Sequence, residues 1–478
     1  MALAVLIGLP AVLGLVTWTI KSVRVGLAIL LGAAFLHVSA VGALWCGALR
    51  DGLGPFISLD AAGFLFMSIS SVLFLAASIY TIPYLLVGTH DEQAAPHRFV
   101  PCLLWFQSAM TLVAGTQHLA LTWAAVEGTT LASAPLVYFY RRRGALEAAW
   151  KYLLLCSVGI AVALLGTFFL GIAGSATAGG QSSLSLSALA EAAPSMSRPW
   201  LRAAFVLALV GYGTKMGLVP LHAWLPDTHS QAPSPVSALL SGALLNCAFL
   251  AILRFYQVCL ASGDSAFART LLLMFGFVSV GVACALMVGQ GDYKRLFAYS
   301  SIENMGIMTV GVGLGGLASY GAMLHAVNHS LCKAGLFFLA GNVLRAFGTT
   351  RALEVRGVLH RIPATGILMM ALFLAIGGIP PFGPFWSEFL IFQSALNGAH
   401  PWMGVLFVAL LAVAFLGMAG VLLPMLQGTV DPVEKGAKEP WLSVLAPLAM
   451  TGGALAMGIY VPPVVVDALR RAADLVKG

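Results

Sequence analysis

Ala203-Ala-Phe-Val-Leu-Ala-Leu-Val-Gly-Tyr-Gly-Thr-Lys215-Met-Gly-Leu-Val-Pro-Leu-His-Ala-Trp-Leu-Pro-Asp227 is the stretch that decides how this chain is read. Apart from Lys215, the segment Ala203–Leu221 is apolar enough to span a bilayer, and the proline-bearing run Val219–Asp227 overlaps its end. An ammonium at the bilayer centre costs roughly 2.5–3.5 kcal/mol on insertion scales, so such a group faces a polar cavity or a counter-charge and has a task there. Helices broken at membrane depth persist only where protein or water satisfies the freed backbone groups. A break beside an intramembrane lysine therefore predicts an ion or proton path.

Working outward, the composition sets the class. With 60% hydrophobic and 9% charged residues over 478 positions, apolar runs recur along nearly the whole chain. At about twenty residues per crossing, the expectation is an all-α polytopic membrane protein with about fourteen transmembrane helices. The runs are 2–20, 25–46, 58–88, 98–115, 118–140, 146–173, 200–221, 235–257, 266–289, 294–315, 318–346, 362–398 (broken), 401–427 and 441–462. Ala2–Ile20 has neither a basic flank before it nor a small-residue cleavage pattern before Lys21, and it reads as the first spanning helix rather than a signal peptide. Ser175–Ser197, rich in Ser, Ala and Gly, reads as an exposed loop with no fold of its own.

Seven cysteines are scattered through apolar runs with no Cys-x-x-Cys pair, which argues against an iron–sulfur or zinc site and for small core residues. No nucleotide loop or haem ligand pair is present either, so no cofactor and no metal are expected. Most basic residues outside the helices, including Lys21, Arg24, Arg141–Arg143, Lys294, Arg295, Arg351 and Arg356, fall on the side of the first connection. The positive-inside rule then places the chain in the plasma (inner) membrane with both termini outside the cytoplasm. Loop arginines beside anionic lipid account for the net charge of +7 without any nucleic acid.

A second break lies in Ile376-Gly-Gly-Ile-Pro-Pro-Phe-Gly-Pro-Phe-Trp-Ser-Glu388-Phe-Leu390. Two interrupted helices in corresponding halves point to a transporter built from inverted repeats. Glu127 also precedes Lys215 by nearly as many residues as Glu303 precedes Glu388. The expected organisation is N-terminal helices over 1–97, two inverted five-helix repeats over 98–257 and 258–427, and a last helix with a short tail over 428–478. Lys215 lies before its break and Glu388 after its own, so the match is one of layout rather than of side chain.

The buried polar inventory is short. Glu127 falls near the middle of the fifth helix, the alternative being a carboxylate at a helix end. His325, His329 and Lys333 recur at i, i+4 and i+8 of the eleventh helix and so share one face. Three titratable groups on one stripe suit a proton relay better than packing, and better than a metal site, because a lysine shares the stripe and no carboxylate completes it. Glu303 reads either as a pathway carboxylate or as a structural partner of Lys294 or Arg295, and Asp60 as a helix cap or interface residue. Burial disfavours the charged form of a lysine or a carboxyl while a nearby opposite charge restores it, so making and breaking a Glu127–Lys215 pair would load and release a proton.

Gly213-Thr-Lys215-Met-Gly-Leu-Val-Pro-Leu-His-Ala-Trp-Leu-Pro-Asp227-Thr-His-Ser-Gln-Ala-Pro-Ser-Pro-Val-Ser-Ala-Leu-Leu resembles the signature of the antiporter-like, proton-conducting subunits shared by respiratory complex I, multisubunit cation/proton antiporters and membrane-bound NiFe hydrogenases. The resemblance covers most of the chain. It implies that Glu127 and Lys215 form the key ion pair, that His329 and Lys333 stand at the relay position of the eleventh helix, and that Glu388 is the charged residue of the twelfth. Relatives in complex I often carry a lysine in the eighth helix where this chain has Asn246, so His325 or His329 would take the central step. Trp-Ala-Ala-Val-Glu127, Leu-Leu-Asn246-Cys-Ala and Ser-Ile-Glu303-Asn-Met-Gly look most like membrane subunits of formate-hydrogenlyase-type hydrogenases. The resemblance implies a proton-translocating subunit without redox chemistry of its own, partnered by other membrane subunits and a peripheral redox arm. A subunit of a Na⁺/H⁺ antiporter and a non-conducting membrane scaffold are the alternatives.

Overall fold

The computed structural model describes residues 2–48, 54, 56–87, 95–175, 183–428 and 439–477, and what they form is helical. In chain order the helices are α1 (Ala2–Thr19), α2 (Val23–Trp45), α3 (Ala61–Val87), α4 (Pro96–Gly115), α5 (Leu119–Val137), α6 (Arg143–Ser175), α7 (Leu186–Ala192), α8 (Arg198–Met216), α9 (Trp224–Gln231) and α10 (Ser234–Leu239). A π-helical turn, Leu240–Leu244, runs from α10 into α11 (Leu245–Ala261). Then follow α12 (Ser265–Met287), α13 (Tyr293–Leu314), α14 (Leu317–Phe347), α15 (Val358–Arg361), α16 (Pro363–Ile376), α17 (Gly383–Leu396), α18 (Trp402–Gln427), α19 (Trp441–Ile459) and α20 (Pro463–Asp474).

Among the described residues nine helices are long and apolar enough to cross a membrane: α1, α2, α3, α6, the α10–α11 unit, α12, α14, α18 and α19. Helices α4, α5, α8 and α13 have the length and are set apart by their polar content. Three of those four carry Glu127, Lys215 and Glu303. In α5, α8 and α13 the loss of apolarity goes with an ionisable group, whereas α14 carries His325, His329 and Lys333 and still qualifies as apolar.

Both expected breaks are present. Helix α8 stops at Gly217, whose φ of 83° is a left-handed C-cap that a side chain would strain. The chain then crosses residues 217–223 before α9 begins. Trp224 donates its indole N–H to the Thr214 carbonyl at 2.7 Å, and the Val219 N–H reaches Ser279 Oγ at 3.0 Å. Backbone groups freed by the break are thus taken up by side chains of neighbouring elements, the condition for broken helices at membrane depth. The second break spans 377–382 between α16 and α17, with Gly378 at a φ of 69°. The π turn just before Asn246 contains Ser241-Gly242 but no proline.

Ser234–Tyr256 is buried along its whole length, while α1, α2, α6, α12, α18 and α19 turn apolar faces outward. Close helix approach depends on small residues, as in membrane bundles generally. A Cβ added to Gly211 of α8 would stand 2.5 Å from the Gly159 carbonyl oxygen of α6, and Gly276 and Gly306 meet in the same way between α12 and α13. Asp292 accepts from the N–H groups of Lys294 and Arg295 at the start of α13. Asp60 accepts the Gly63 N–H at 2.8 Å at the start of α3 and also grips the buried Arg254 guanidinium, with Nη2 to Oδ1 at 2.8 Å. It is thereby both cap and ion-pair partner.

Two expectations change. Of the stretch 175–197, residues 176–182 lie outside the described residues, and the remainder is not featureless. Ser185 caps α7 by accepting the Ala188 N–H, Leu189, Ala193 and Met196 are buried, and main-chain hydrogen bonds join Leu184 to Leu119 and Leu186 to Gln117, which together dock this segment. Six cysteines are buried, but Cys46, just past the end of α2, is exposed.

Replacing Gly211 by valine drives a branched side chain into the α6 backbone and is expected to destabilise the chain by about 1–3 kcal/mol, the usual cost of overpacking. Thermal unfolding of the detergent-solubilised protein should show this as a lowered Tm, with Gly8→Val, at a position open to its surroundings, unchanged.

Candidate functional site

Lys215 is fully buried near the end of α8, and its ammonium is not in contact with a carboxylate. Nζ donates to Thr130 Oγ1 at 2.8 Å and to the Tyr152 hydroxyl at 2.6 Å. It also lies 4.5 Å from the centroid of the Tyr152 ring, within cation–π range. Thr130 passes the interaction on, donating to Glu127 Oε2 at 3.3 Å, while Ser157 holds Oε1 at 2.7 Å. The expected direct Glu127–Lys215 pair is therefore replaced by a bridge through one hydroxyl. The physical reason is register: Thr130 follows Glu127 by three residues on α5, which stacks the two side chains along one face and puts the shorter one nearest α8. Glu127 itself is only half-buried.

A comparable arrangement recurs in the second half. Lys333, buried on α14, donates to Ser300 Oγ at 2.5 Å and to the Phe297 carbonyl at 3.1 Å. Ser300 lies one turn before Glu303 on α13, and Asn304 donates to Glu303 Oε2 at 3.2 Å. Of the two alternatives for Glu303, partnership with Lys294 or Arg295 is excluded by where those cations go. Lys294 Nζ donates to the Ala232 carbonyl at 2.7 Å, and Arg295 pairs with Asp227 at 2.6 Å.

His325, His329 and Lys333 do share one face of α14, and all three are fully buried. His325 bridges two helices, with Nδ1 2.9 Å from Ser387 Oγ on α17 and Nε2 2.9 Å from Asn304 Oδ1 on α13. Its ring lies 6.5 Å from that of His329. His329 Nε2 meets the Ser241 carbonyl of the π turn at 3.4 Å, and its Nδ1 has no protein partner. Asn246 donates to the Gly242 carbonyl at 2.9 Å and to Ser330 Oγ at 2.8 Å, leaving its own Oδ1 unpartnered. Asn246 thus stands beside the α14 stripe through Ser330. Glu388 is buried next in sequence to Ser387, with its carboxylate against Gly378 at the second break and no hydrogen bond of its own among the described residues.

Further groups that no sequence pattern marks belong here. Tyr152 and Thr130 hold Lys215, Ser300 holds Lys333, and Asn304 ties Glu303 to His325. His229 is buried against the Phe337 ring at 4.7 Å with both ring nitrogens unpartnered, and Asn328 is buried with neither amide atom partnered. Thr130 and Ser300 each lie three residues from a glutamate, Glu127 and Glu303, a spacing too common to single them out. Nothing in the sequence singled out Tyr152. Buried polar atoms are nearly always paired with protein or water, so the open atoms on His229, Asn246, Asn328 and His329 mark positions suited to water. Chemically, the arrangement offers two buried ammonium groups each held by at least one hydroxyl, a glutamate within one helical turn of that hydroxyl, and two imidazoles on the helix that carries Lys333.

Residues 116–415 match the family described as NADH:quinone oxidoreductase/Mrp antiporter, TM. A Hydrogenase-4 component F homolog of Methylacidiphilum infernorum is 34% identical over 457 residues, covering 94% of each chain. An NADH-quinone oxidoreductase subunit N of Desulforudis audaxviator is 31% identical over 403 residues, covering 81% of this chain and 78% of that one. In structure, a chain of the membrane-bound sulfane sulfur reductase, an archaeal respiratory membrane complex, superposes with a TM-score of 0.87 at 20% identity, covering 99% of this chain and 97% of the other.

If Thr130 is the link between Lys215 and Glu127, Thr130→Val should weaken their coupling while preserving shape. Loss of a hydrogen bond to a charged group is worth about 1.5–3 kcal/mol, so transfer through it is expected to fall roughly tenfold or more, with Thr130→Ser near normal. Proton uptake by proteoliposomes carrying the assembled complex checks this.

Proposed function

Because the chain belongs to the NADH:quinone oxidoreductase/Mrp antiporter transmembrane family, we propose that it is the proton-translocating, antiporter-like membrane subunit of a redox-driven complex of the energy-converting hydrogenase or complex I type. The observation that carries the proposal is that Lys215 is held by two hydroxyls, one of them donating to Glu127, and Lys333 by the Ser300 hydroxyl, one turn from Glu303, and the Phe297 carbonyl. An ammonium so placed is poised. Its charge is solvated by oriented hydroxyls, and a small shift of the carboxylate toward or away from it changes the free energy of holding a proton.

In this reading Glu127 and Lys215 form the first exchange site, Glu303 and Lys333 the second, and His329 and Asn246 take the step between them. Glu388 takes the far end through Ser387 and His325. Asn246 cannot store a proton, but as donor to Ser330 and as an open acceptor it can orient a water, so titration falls to the histidines. The two halves, 98–257 and 258–427, act as the inverted repeats. What supports this is that each contains one broken helix and one lysine–hydroxyl–glutamate cradle.

The chain lacks a redox or nucleotide group in its sequence, and the driving change must come from a neighbouring subunit with different affinity for the two charge states. The half-buried Glu127 is the group best placed to feel such a neighbour. We assign the protein to the plasma (inner) membrane with both termini on the non-cytoplasmic side, from the basic residues around Arg141–Arg143, Lys294, Arg295 and Arg351.

Lys215→Ala and Glu127→Gln are each expected to reduce proton translocation strongly while the complex still assembles. A pH-sensitive dye in proteoliposomes reads the outcome, and near-normal pumping in either variant would remove the basis for the first exchange site. Since titration falls to α14, His329→Ala should impair pumping more than Asn246→Ala, and the reverse order would move the central step to α11.

A further inference from the structure

On the face carrying most of the basic residues, the ends of α3, α9, α14 and the beginnings of α13 and α19 enclose a cavity of about 410 Å³. Arg142, Lys294, Arg345 and Arg351 line it, and among the described residues no carboxylate does. Hydroxyls complete the wall, from Tyr84, Tyr140, Ser230, Thr349, Thr350 and Ser443. The nearby carboxylates are already committed. Asp292 caps α13 and accepts from Thr350 at 2.5 Å, and Glu354 accepts from Thr349 at 2.7 Å and from Arg351 at 3.2 Å.

Lys294 and Arg345 keep donor capacity to spare. Buried Lys294 uses its ammonium on the carbonyls of Ala232 and Ser230, leaving a third proton, and Arg345 reaches only the neutral Ser443 Oγ, at 3.3 Å. We infer that this cavity binds the phosphate of an anionic phospholipid headgroup. The Arg345 guanidinium fork near the Lys294 ammonium suits phosphate oxygens, and basic pockets between membrane helices on the positively charged side accept acidic head groups. The surroundings favour a lipid over a free ion. Trp441, at the start of α19, is exposed as interfacial tryptophans are, and Leu445 and Leu448 below it present an exposed apolar surface for acyl chains.

The test uses the complete complex, stripped of lipid in detergent and titrated with short-chain phosphatidylglycerol, phosphatidylcholine or inorganic phosphate under native mass spectrometry. Wild type should bind phosphatidylglycerol about tenfold more tightly than Arg345→Gln, as expected for loss of a charge-assisted contact. Arg351→Gln, on an exposed connection that does not threaten folding, should show a smaller loss in the same direction. Phosphatidylcholine should not distinguish the proteins, and Arg202→Gln at the α8 terminus should leave phosphatidylglycerol binding unchanged. Equal affinity in wild type and both cavity variants would overturn the site. Displacement of the lipid by an equal concentration of inorganic phosphate would overturn the headgroup as its occupant.

Discussion

Everything in this molecule is arranged around the cost of keeping an ammonium away from water. Lys215 and Lys333 are both fully buried, and each is held by hydroxyls and a carbonyl or an aromatic face rather than by a carboxylate in contact. A direct ion pair in a dry interior would be deep and hard to break, and removing one partner would leave an uncompensated charge. One intervening hydroxyl keeps the attraction while leaving it adjustable. The first broken helix stops at Gly217, two residues past Lys215, and the second break lets Glu388 approach the chain near the α14 stripe.

The breaks serve the cradles in different ways. At the first, Trp224 anchors the unwound segment to the Thr214 carbonyl, one residue from Lys215, so the lysine sits on backbone whose hydrogen bonds are held from outside the helix. At the second, Gly378 makes room for the Glu388 carboxylate, and Ser387 reaches back to His325. The π turn of α10–α11 presents the Ser241 carbonyl to His329 and sets Asn246 beside Ser330. Such turns are rare in helices and concentrate at functional positions. Unpartnered atoms on His329, Asn246, Asn328 and His229 lie around this region, which is the polar interior that a mobile proton requires.

Much of this was legible in the sequence, and the parts that were not share a cause. Lys215 announced itself by sitting in an apolar run with prolines after it, and the His325–His329–Lys333 stripe by its spacing. Both signals are one-dimensional. The bridge through Thr130 was not legible, because whether a carboxylate touches a lysine or stands one hydroxyl away depends on the distance between α5 and α8, set by packing. Tyr152 contributes from α6 with no pattern around it. Glu303 stayed ambiguous until the partners of Lys294 and Arg295 were located, which required the fold. Helix α7 escaped because main-chain hydrogen bonds to Gln117 and Leu119 and a few buried apolar residues order a segment whose composition reads as loop.

The central claim is that buried lysines carry the transported proton, and Lys333 tests it from the half of the chain remote from the recognised motif. Lys333→Met keeps the length and the apolar stem while removing the ammonium beside Glu303. The decisive measurement is proton uptake by proteoliposomes containing the complete complex, taken together with the rate of its driving reaction. The account predicts that the variant assembles and proton translocation through this subunit is lost. Undiminished translocation per turnover in Lys333→Met would contradict it and leave the chain as a scaffold.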